Sequence, residues 1–198
     1  MRMLAFFILL LVSSCGYQFQ NNDDQLTLSI PYVKGDNEGQ LTNELIRQFA
    51  YSGAYQYVKE DGNLTLKVVI LGDTSEKIGF RYDRNEFTGK LETNLQPTED
   101  RRTITAQVSL VNAATEEIVI GPYQVSSFSD YDYTDINSIQ SLSFFTPGGK
   151  RQTILNFSLG QVDSIEGAQD DAVVPLYRNL AKKIADGILR GSLSPSSP

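Results

Sequence analysis

The sequence lacks the residues on which most catalytic and metal sites depend. It contains no histidine and one cysteine among 198 residues, which excludes Ser-His-Asp and Cys-His catalytic arrangements and the usual imidazole or thiolate zinc sites. Neither a G-x-x-x-x-G-K-[ST] nor a G-x-G-x-x-G motif is present. A carboxylate pair remains as a catalytic device, but the placement of the 24 acidic residues singles out no pair. The sequence therefore predicts a protein that is not an enzyme and that carries neither a cofactor nor a metal.

Basic residues are also few, with 17 Lys and Arg against 24 Asp and Glu. Removal of an N-terminal segment containing Arg2 leaves 16 basic residues and a net charge near −8. Nucleic-acid binding depends on basic patches, so no nucleic-acid partner is expected. No polybasic stretch is available for anionic lipids either, and membrane attachment would depend on acyl chains, of which two or more hold stably.

Long hydrophobic runs are missing, because the longest, residues 4–12, has nine residues and a membrane-spanning helix needs about 20. This run has the length of the apolar region of a signal peptide, with Arg2 before it and small residues after it. The segment Val12-Ser13-Ser14-Cys15 resembles the lipobox of bacterial lipoproteins, in which the cysteine is acylated and becomes the new N-terminus. An ordinary secretory signal with a chance cysteine is the alternative. We predict lipid attachment at Cys15.

The chain divides by composition into four parts. Residues 1–14 are the predicted signal peptide, and residues 15–25 are a polar, lipidated tether. Residues 26–191 form one predicted domain with a Tyr/Asp-rich loop excursion at 129–167, and the Ser/Pro-rich residues 192–198 form a disordered tail.

Apolar residues at helical spacing predict two amphipathic helices. The first covers residues 40–52, with Asp36 or Asn37 as its cap and Gly53 as its stop. The second begins between Asp170 and Pro175, because proline is tolerated in the first turn of a helix, and it ends at Gly191.

Period-two alternation predicts the main strands, over residues 26–30, 64–71, 102–110 and 118–128. The second of these continues to about Tyr82 after a kink near Gly72, and the last two form a hairpin around residues 112–117. Pro122 implies an edge position or a bulge. Residues 83–100 show little periodicity beyond a short extension of a hairpin near Lys90.

Two helices that each have one apolar face need one face of a sheet to cover. We therefore predict an α+β fold: a two-layer sandwich with both helices packed on one face of a four- to five-stranded mixed or antiparallel sheet.

The region 129–167 contains a cluster of aspartates, a turn at residues 147–151 and a candidate further strand from Ile154 to Leu159. Hard cations prefer carboxylate oxygens, but the spacing of Asp130, Asp132 and Asp135 does not match an EF-hand loop. We interpret the cluster as a solvated loop with aromatic packing.

At Cys15-Gly16-Tyr17-Gln18-Phe19, directly after the lipobox, the sequence resembles the LptE-like family of lipopolysaccharide-assembly lipoproteins. The strand ending in Ile30-Pro31, the helix segment 41–49 and the exit segment 52–58 fit the same family. Gly16 also resembles the outer-membrane sorting preference of enteric bacteria.

The resemblance implies a function without a reaction or a cofactor. Members of that family sit inside the outer-membrane β-barrel LptD and act with it to insert lipopolysaccharide. This implies a protein anchored by lipid at the periplasmic face of the outer membrane, which plugs and helps to assemble the barrel and binds lipopolysaccharide. Phosphates are bound by Arg and Lys, and the candidates for the phosphate contacts are Arg101, Arg102 and Lys90. Solvated charges at strand ends are the alternative for these three residues.

Two other functions stay open at the level of sequence. One is an accessory subunit of another envelope lipid-transport complex, which would share the anchor and the fold class. The other is a lipid-anchored hydrolase, which would need two carboxylates that converge in a cleft.

Overall fold

The computed structural model describes residues 25–85, 88, 90–133, 143–153 and 164–193. In chain order, its elements are β1 (Thr27–Ser29), α1 (Gln40–Ser52), β2 (Gln56–Val58), β3 (Leu64–Arg84), β4 (Leu91–Asn112), β5 (Ile118–Asp132), β6 (Ser143–Phe145), β7 (Arg151–Thr153) and α2 (Ile165–Leu193). The predicted lipid attachment site, Cys15, lies outside the described residues.

Five strands form one mixed sheet in the order β2-β1-β3-β4-β5. β1 runs parallel to both β2 and β3, whereas β3, β4 and β5 are joined in antiparallel order. β6 and β7 form a separate two-stranded hairpin around the predicted turn. The α+β sandwich predicted from the alternation is confirmed, with a five-stranded sheet.

One face of the sheet is buried beneath both helices. In β4 the buried residues alternate with more exposed ones, as the two-residue period of a strand requires. The same hydrophobic cluster contains residues of both helices and of the central strands, among them Leu41, Leu45, Phe49, Leu66, Val68, Ile104, Ala106, Val108, Leu176, Leu180 and Ile184. This apolar row on β3 and β4, together with the inner faces of the helices, is the core.

Helix α1 has the predicted bounds, and Gly53 at its C-terminus has the left-handed backbone conformation that glycine adopts readily. The N-cap position is Gly39, which has no side chain to offer. The cap comes from Asp36 instead, whose Oδ2 accepts hydrogen bonds from the N–H and the Oγ1 of Thr42, each at 2.8 Å. Thr42 Oγ1 in turn accepts from the N–H of Val33 at 3.1 Å, so one carboxylate ties the entry loop to the helix.

Helix α2 is longer than predicted at both ends. It begins at Ile165, ten residues before Pro175, and continues past Gly191 to Leu193. Pro175 lies on the exposed side of the helix, as does Asp171, whose carbonyl oxygen loses its intrahelical hydrogen bond, so this oxygen is on the side that water can reach. Apolar contacts hold the helix on both sides of this point, with Ala168 and Ala172 packed near Tyr131 before it and Leu176 after it.

The β3–β4 hairpin is also longer than predicted, with strands of 21 and 22 residues. Strand β4 begins at Leu91, about ten residues before the first strong alternation in the sequence. Register shifts between Ile70 and Gly72, and again between Lys77 and Phe80, interrupt the pairing. Each bulge adds one residue to a strand, so the apolar residues change between odd-numbered and even-numbered positions. The strand then no longer shows a regular alternation of apolar and polar residues.

Strand β5 lies at the edge of the sheet, as Pro122 predicted. It extends to Asp132, so the first residues of the region 129–167 are strand. The candidate strand at residues 154–159 falls outside the described residues. Among the helices that the structure describes, none has the length and apolar character needed to cross a membrane.

The Asp36 cap predicts a specific loss of stability. Asp36→Ala removes an acceptor from the buried N–H of Thr42, and loss of a helix cap with an unpaired buried donor costs about 1–3 kcal/mol. Urea unfolding followed by circular dichroism measures this change. Asn37→Ala, at the exposed neighbouring position, is the control and should change the free energy of unfolding by less than about 0.5 kcal/mol. Equal effects of the two substitutions would contradict the capping role.

Candidate functional site

Arg101 and Arg102 are neighbours on β4 and lie on opposite faces of the sheet, because successive side chains of a strand alternate. Arg102 is on the helix-covered face, where its Nη1 lies 3.5 Å from the carbonyl oxygen of Gln169 in α2. Arg101 is on the open face, directly opposite Asp130 of β5. The two arginines therefore belong to two different surfaces.

Arg101 is held in a rigid, exposed arrangement on the open face. Its Nε and Nη2 donate to the two carboxylate oxygens of Asp130 at 2.7 and 2.8 Å, and its guanidinium carbon lies 4.3 Å from the ring centroid of Phe128. The hydrogen bond from Arg101 holds the pKa of Asp130 below its ordinary value, and Asp130 raises the pKa of Arg101. This geometry presents one edge of a planar cation with an aromatic ring beneath it.

The side chain of Arg102 is less exposed than that of Arg101. Its Nε and Nη2 donate to the carboxylate of Asp73 on β3 at 2.9 and 2.7 Å, and this hydrogen bond raises the pKa of Arg102 despite its partial desolvation. The pair sits where the apolar row of the sheet ends and polar residues begin, next to Ile104. Arg102 is therefore neutralised within the fold before any ligand arrives.

Lys90 lies at the far end of the β3–β4 hairpin, eleven positions before Arg101 along the chain. At ~3.3 Å per residue, this separation in an extended strand is roughly 35 Å. The structure thus does not bring Lys90, Arg101 and Arg102 together. Their role as phosphate contacts stays a prediction, and it applies to each residue separately.

A polar cavity of about 290 Å³ lies beside Arg102, between the loop before α1 and the N-terminal half of α2. Acidic side chains dominate its lining, because Asp36, Glu38, Asp73 and Asp170 outnumber the one arginine. Tyr177 also lines it, and burial, followed by the charge of Asp36, raises the pKa of its phenol. A cavity with this charge disfavours phosphate.

Three of the four carboxylates of the cavity have structural partners, and the fourth, Asp170, is an exposed residue of α2. Asp36 caps α1 and Asp73 pairs with Arg102, while Glu38 accepts from Gln40 Nε2 at 2.7 Å. These bonds explain the gathering of acidic residues without an acid–base role. Among the described residues, no group of three or more His, Cys, Asp or Glu could hold a metal ion. Of the aspartate cluster, Asp130 is paired with Arg101 and Asp135 falls outside the described residues.

A group of exposed apolar side chains lies on the outer part of the β3–β4 hairpin, at residues 78–85 and 90–98, which we term the arm. β5 pairs with β4 from Val111 only as far as Glu99, so the named strands of the sheet leave the arm two-stranded. Phe80 faces Pro97 and Tyr82 faces Leu95 across the two strands, and directly opposed residues share one face. Phe80, Tyr82, Leu91 and Leu95 are each more than half exposed.

Sequence reasoning missed this surface because residues 83–100 have no clear period. The signal that was available is the alternation of Phe80 and Tyr82 with the polar residues Arg81 and Asp83. An apolar face of this kind on a two-stranded arm commonly marks an interaction site.

Comparison with known protein families identifies the family to which the chain belongs. The family model LptE, described as lipopolysaccharide-assembly, matches residues 26–190. The chain belongs to the LptE family. The matched region begins at β1 and ends within α2, so it includes the whole sheet, the arm and both arginine positions.

Solved structures with some similarity to this LptE-family chain include two bacterial lipoproteins. A minor lipoprotein from Acinetobacter baumannii is 13% identical with a TM-score of 0.48, and the alignment covers 87% of this chain and 96% of that one. The rare lipoprotein B from Shewanella oneidensis is 14% identical with a TM-score of 0.37, over 84% of this chain and 93% of that one. Among curated proteins, no sequence matches this chain.

Proposed function

We propose that this protein is an outer-membrane lipoprotein that partners the LptD β-barrel in the assembly and insertion of lipopolysaccharide, acting as a plug and chaperone of the barrel rather than as an enzyme. The observation that carries the proposal is the match of the LptE family model to residues 26–190. Lipid attachment at Cys15 would hold the domain at the periplasmic face of the membrane. The barrel, the membrane and the lipid are the parts of the proposal that go beyond family membership.

The arm is the surface that best fits the barrel. An isolated two-stranded hairpin is marginally stable in water, and the arm also exposes Phe80, Tyr82 and Leu95 on one face. Covering this face with a partner removes apolar surface from water at about 25 cal/mol per Å². The rest of the domain surface is rich in polar residues, which suits the polar lumen of an outer-membrane barrel.

Lipopolysaccharide binding is part of the same proposal, and Arg101 is the candidate that the geometry favours. Its guanidinium is on the open face, whereas Arg102 is enclosed by Asp73 and α2. The partner of Arg101 is a single exposed carboxylate, and exposed ion pairs contribute only about 0.2–1 kcal/mol. A phosphate, which accepts a bidentate pair of hydrogen bonds from arginine, can therefore compete with Asp130.

The barrel partnership is tested by site-specific crosslinking in cells. A photo-crosslinking amino acid at Tyr82 should capture a large outer-membrane β-barrel, because this position is on the apolar face of the arm. The same amino acid at Arg178, an exposed position on α2, is the matched control and should capture little of it. Capture of inner-membrane transport subunits at Tyr82 would instead favour the accessory-subunit function, and failure to capture any barrel would refute the proposed partnership.

The phosphate role of Arg101 is tested by titrating the lipidated protein in detergent with lipopolysaccharide. Arg101→Ala should weaken binding by about tenfold, which is the loss expected for a charged hydrogen bond. Asp130→Asn should strengthen binding, since it removes the competing negative charge and one of the two acceptor oxygens that now occupy the guanidinium of Arg101.

Two further variants complete this test. Lys90→Ala and Arg102→Ala should each have a smaller effect than Arg101→Ala. If Arg101→Ala and Asp130→Asn both leave the dissociation constant unchanged, Arg101 is not a phosphate contact.

A further inference from the structure

The described chain starts at one end of the sheet, and several loops meet there. The carbonyl oxygen of Leu26 accepts from the N–H of Gln56 at 3.1 Å, and Asn63 donates its N–H to Thr27 Oγ1 at 2.8 Å. The carbonyl oxygen of Asn63 accepts from the N–H of Ala113, at the β4–β5 turn, at 3.0 Å. These hydrogen bonds place the start of β1 and the loops before β2, β3 and β5 at the same end of the sheet. We term this end of the domain the anchor end.

The anchor end carries exposed apolar side chains that the fold does not use. Leu26 precedes β1, Ile118 and Val119 begin β5, and all three are more than half exposed. Tyr51 lies in the last turn of α1, close to Gly53, whose carbonyl oxygen accepts a hydrogen bond from Gln25 Nε2. Tyr51 is 82% exposed, so the described residues leave most of its side chain uncovered.

We propose that the anchor end rests on a zwitterionic phospholipid surface through Leu26, Tyr51, Ile118 and Val119. This inference rests on the proposed lipid attachment at Cys15. The ten residues between Cys15 and Leu26 reach at most about 35–40 Å when extended, so the anchor end is the part of the domain nearest to the lipid. Tyrosine suits the interface between lipid and water, because its ring is apolar and its hydroxyl is polar.

Tethering explains why a small patch is sufficient. Four partly exposed side chains would bind a vesicle weakly from solution, because association costs translational and rotational freedom. The acyl anchor already restricts the translation and rotation of the protein at the membrane. Contact between the patch and the lipid surface is then intramolecular and occurs at a high effective concentration.

The charges at the anchor end determine which lipid fits. Glu60 and Asp61 lie in the loop before β3, and Glu116 and Glu117 lie in the β4–β5 turn, all of them exposed. These four carboxylates outnumber the two basic residues at this end, Lys59 in the loop before β3 and Arg190 in the last turn of α2, where Gly191 lies against Ile120. An anionic surface attracts basic segments and repels acidic ones, so a zwitterionic surface is the expected partner.

The absence of tryptophan from the sequence makes the contact measurable. Tyr51→Trp and Val119→Trp each introduce a single tryptophan at the anchor end, and Tyr82→Trp introduces one on the arm, at the far end of β3. The full-length, lipidated variants are reconstituted into phosphatidylcholine vesicles that contain a lipid with brominated acyl chains. Vesicle flotation is measured in parallel, together with Cys15→Ser as an unanchored control.

We expect all three tryptophan variants to float with the vesicles. The tryptophan fluorescence of Tyr51→Trp and Val119→Trp should shift to the blue and be quenched by bromine. The fluorescence of Tyr82→Trp should not be quenched. The inference would be overturned if the variants float but the tryptophans at the anchor end are not quenched, or if Tyr82→Trp is quenched equally. Either result would leave the lipid anchor intact. Flotation that is as strong for Cys15→Ser as for the parent would show that acylation does not hold the protein, which refutes the anchor and the inference that rests on it.

Discussion

One-sided burial of the sheet is the constraint on which the rest of this structure depends. The apolar row of β3 and β4 is covered by α1 and α2, and burial of a Leu, Ile or Val side chain contributes about 1.5–3 kcal/mol. A solvent-exposed ion pair such as Arg101–Asp130 contributes much less than the burial of one such side chain. The core row therefore decides the register of every strand that pairs with it, and the charged residues take the positions that remain.

This register explains the two arginines and the arm. Where the apolar row ends, the next helix-facing position on β4 is Arg102, and the enclosed guanidinium is neutralised by Asp73. Arg101 necessarily faces the other way and pairs with Asp130 on the open face. Farther along, β5 ends and the hairpin continues as two strands, and its apolar residues Phe80 and Tyr82 are more than half exposed.

The sequence allowed good prediction wherever its pattern was regular. The bounds of α1 followed from helical spacing and a terminal glycine, and the core face of β4 followed from alternation. Prediction failed where tertiary contacts outweighed a local rule: α2 runs through Pro175 because its inner residues are packed on both sides of it. The arm was missed because register shifts on both sides of Gly79, and again between Tyr82 and Arg84, interrupt its period.

The predicted site illustrates a different limit. Arg101 and Arg102 are candidates because both lie at the mouth of a predicted strand, although neighbouring side chains of a strand point to opposite faces. The separation of Lys90 could not be foreseen, since it depends on the length of β4, which the pattern of residues 83–100 conceals. The apolar patch at the anchor end is likewise a product of the topology, which brings Leu26 and Ile118 to one edge from distant parts of the chain.

We propose that the domain core carries the arm and that the arm recognises the barrel, and a variant with a shortened arm tests this proposal. Lys77 and Asp100 pair across the hairpin, so replacing residues 78–99 by Asn-Gly joins them through a two-residue turn. Co-purification of the barrel with this variant is compared with that of the parent, alongside thermal unfolding of both proteins. We expect a folded protein with a cooperative transition that no longer recovers the barrel. Undiminished recovery of the barrel by the folded variant would contradict it.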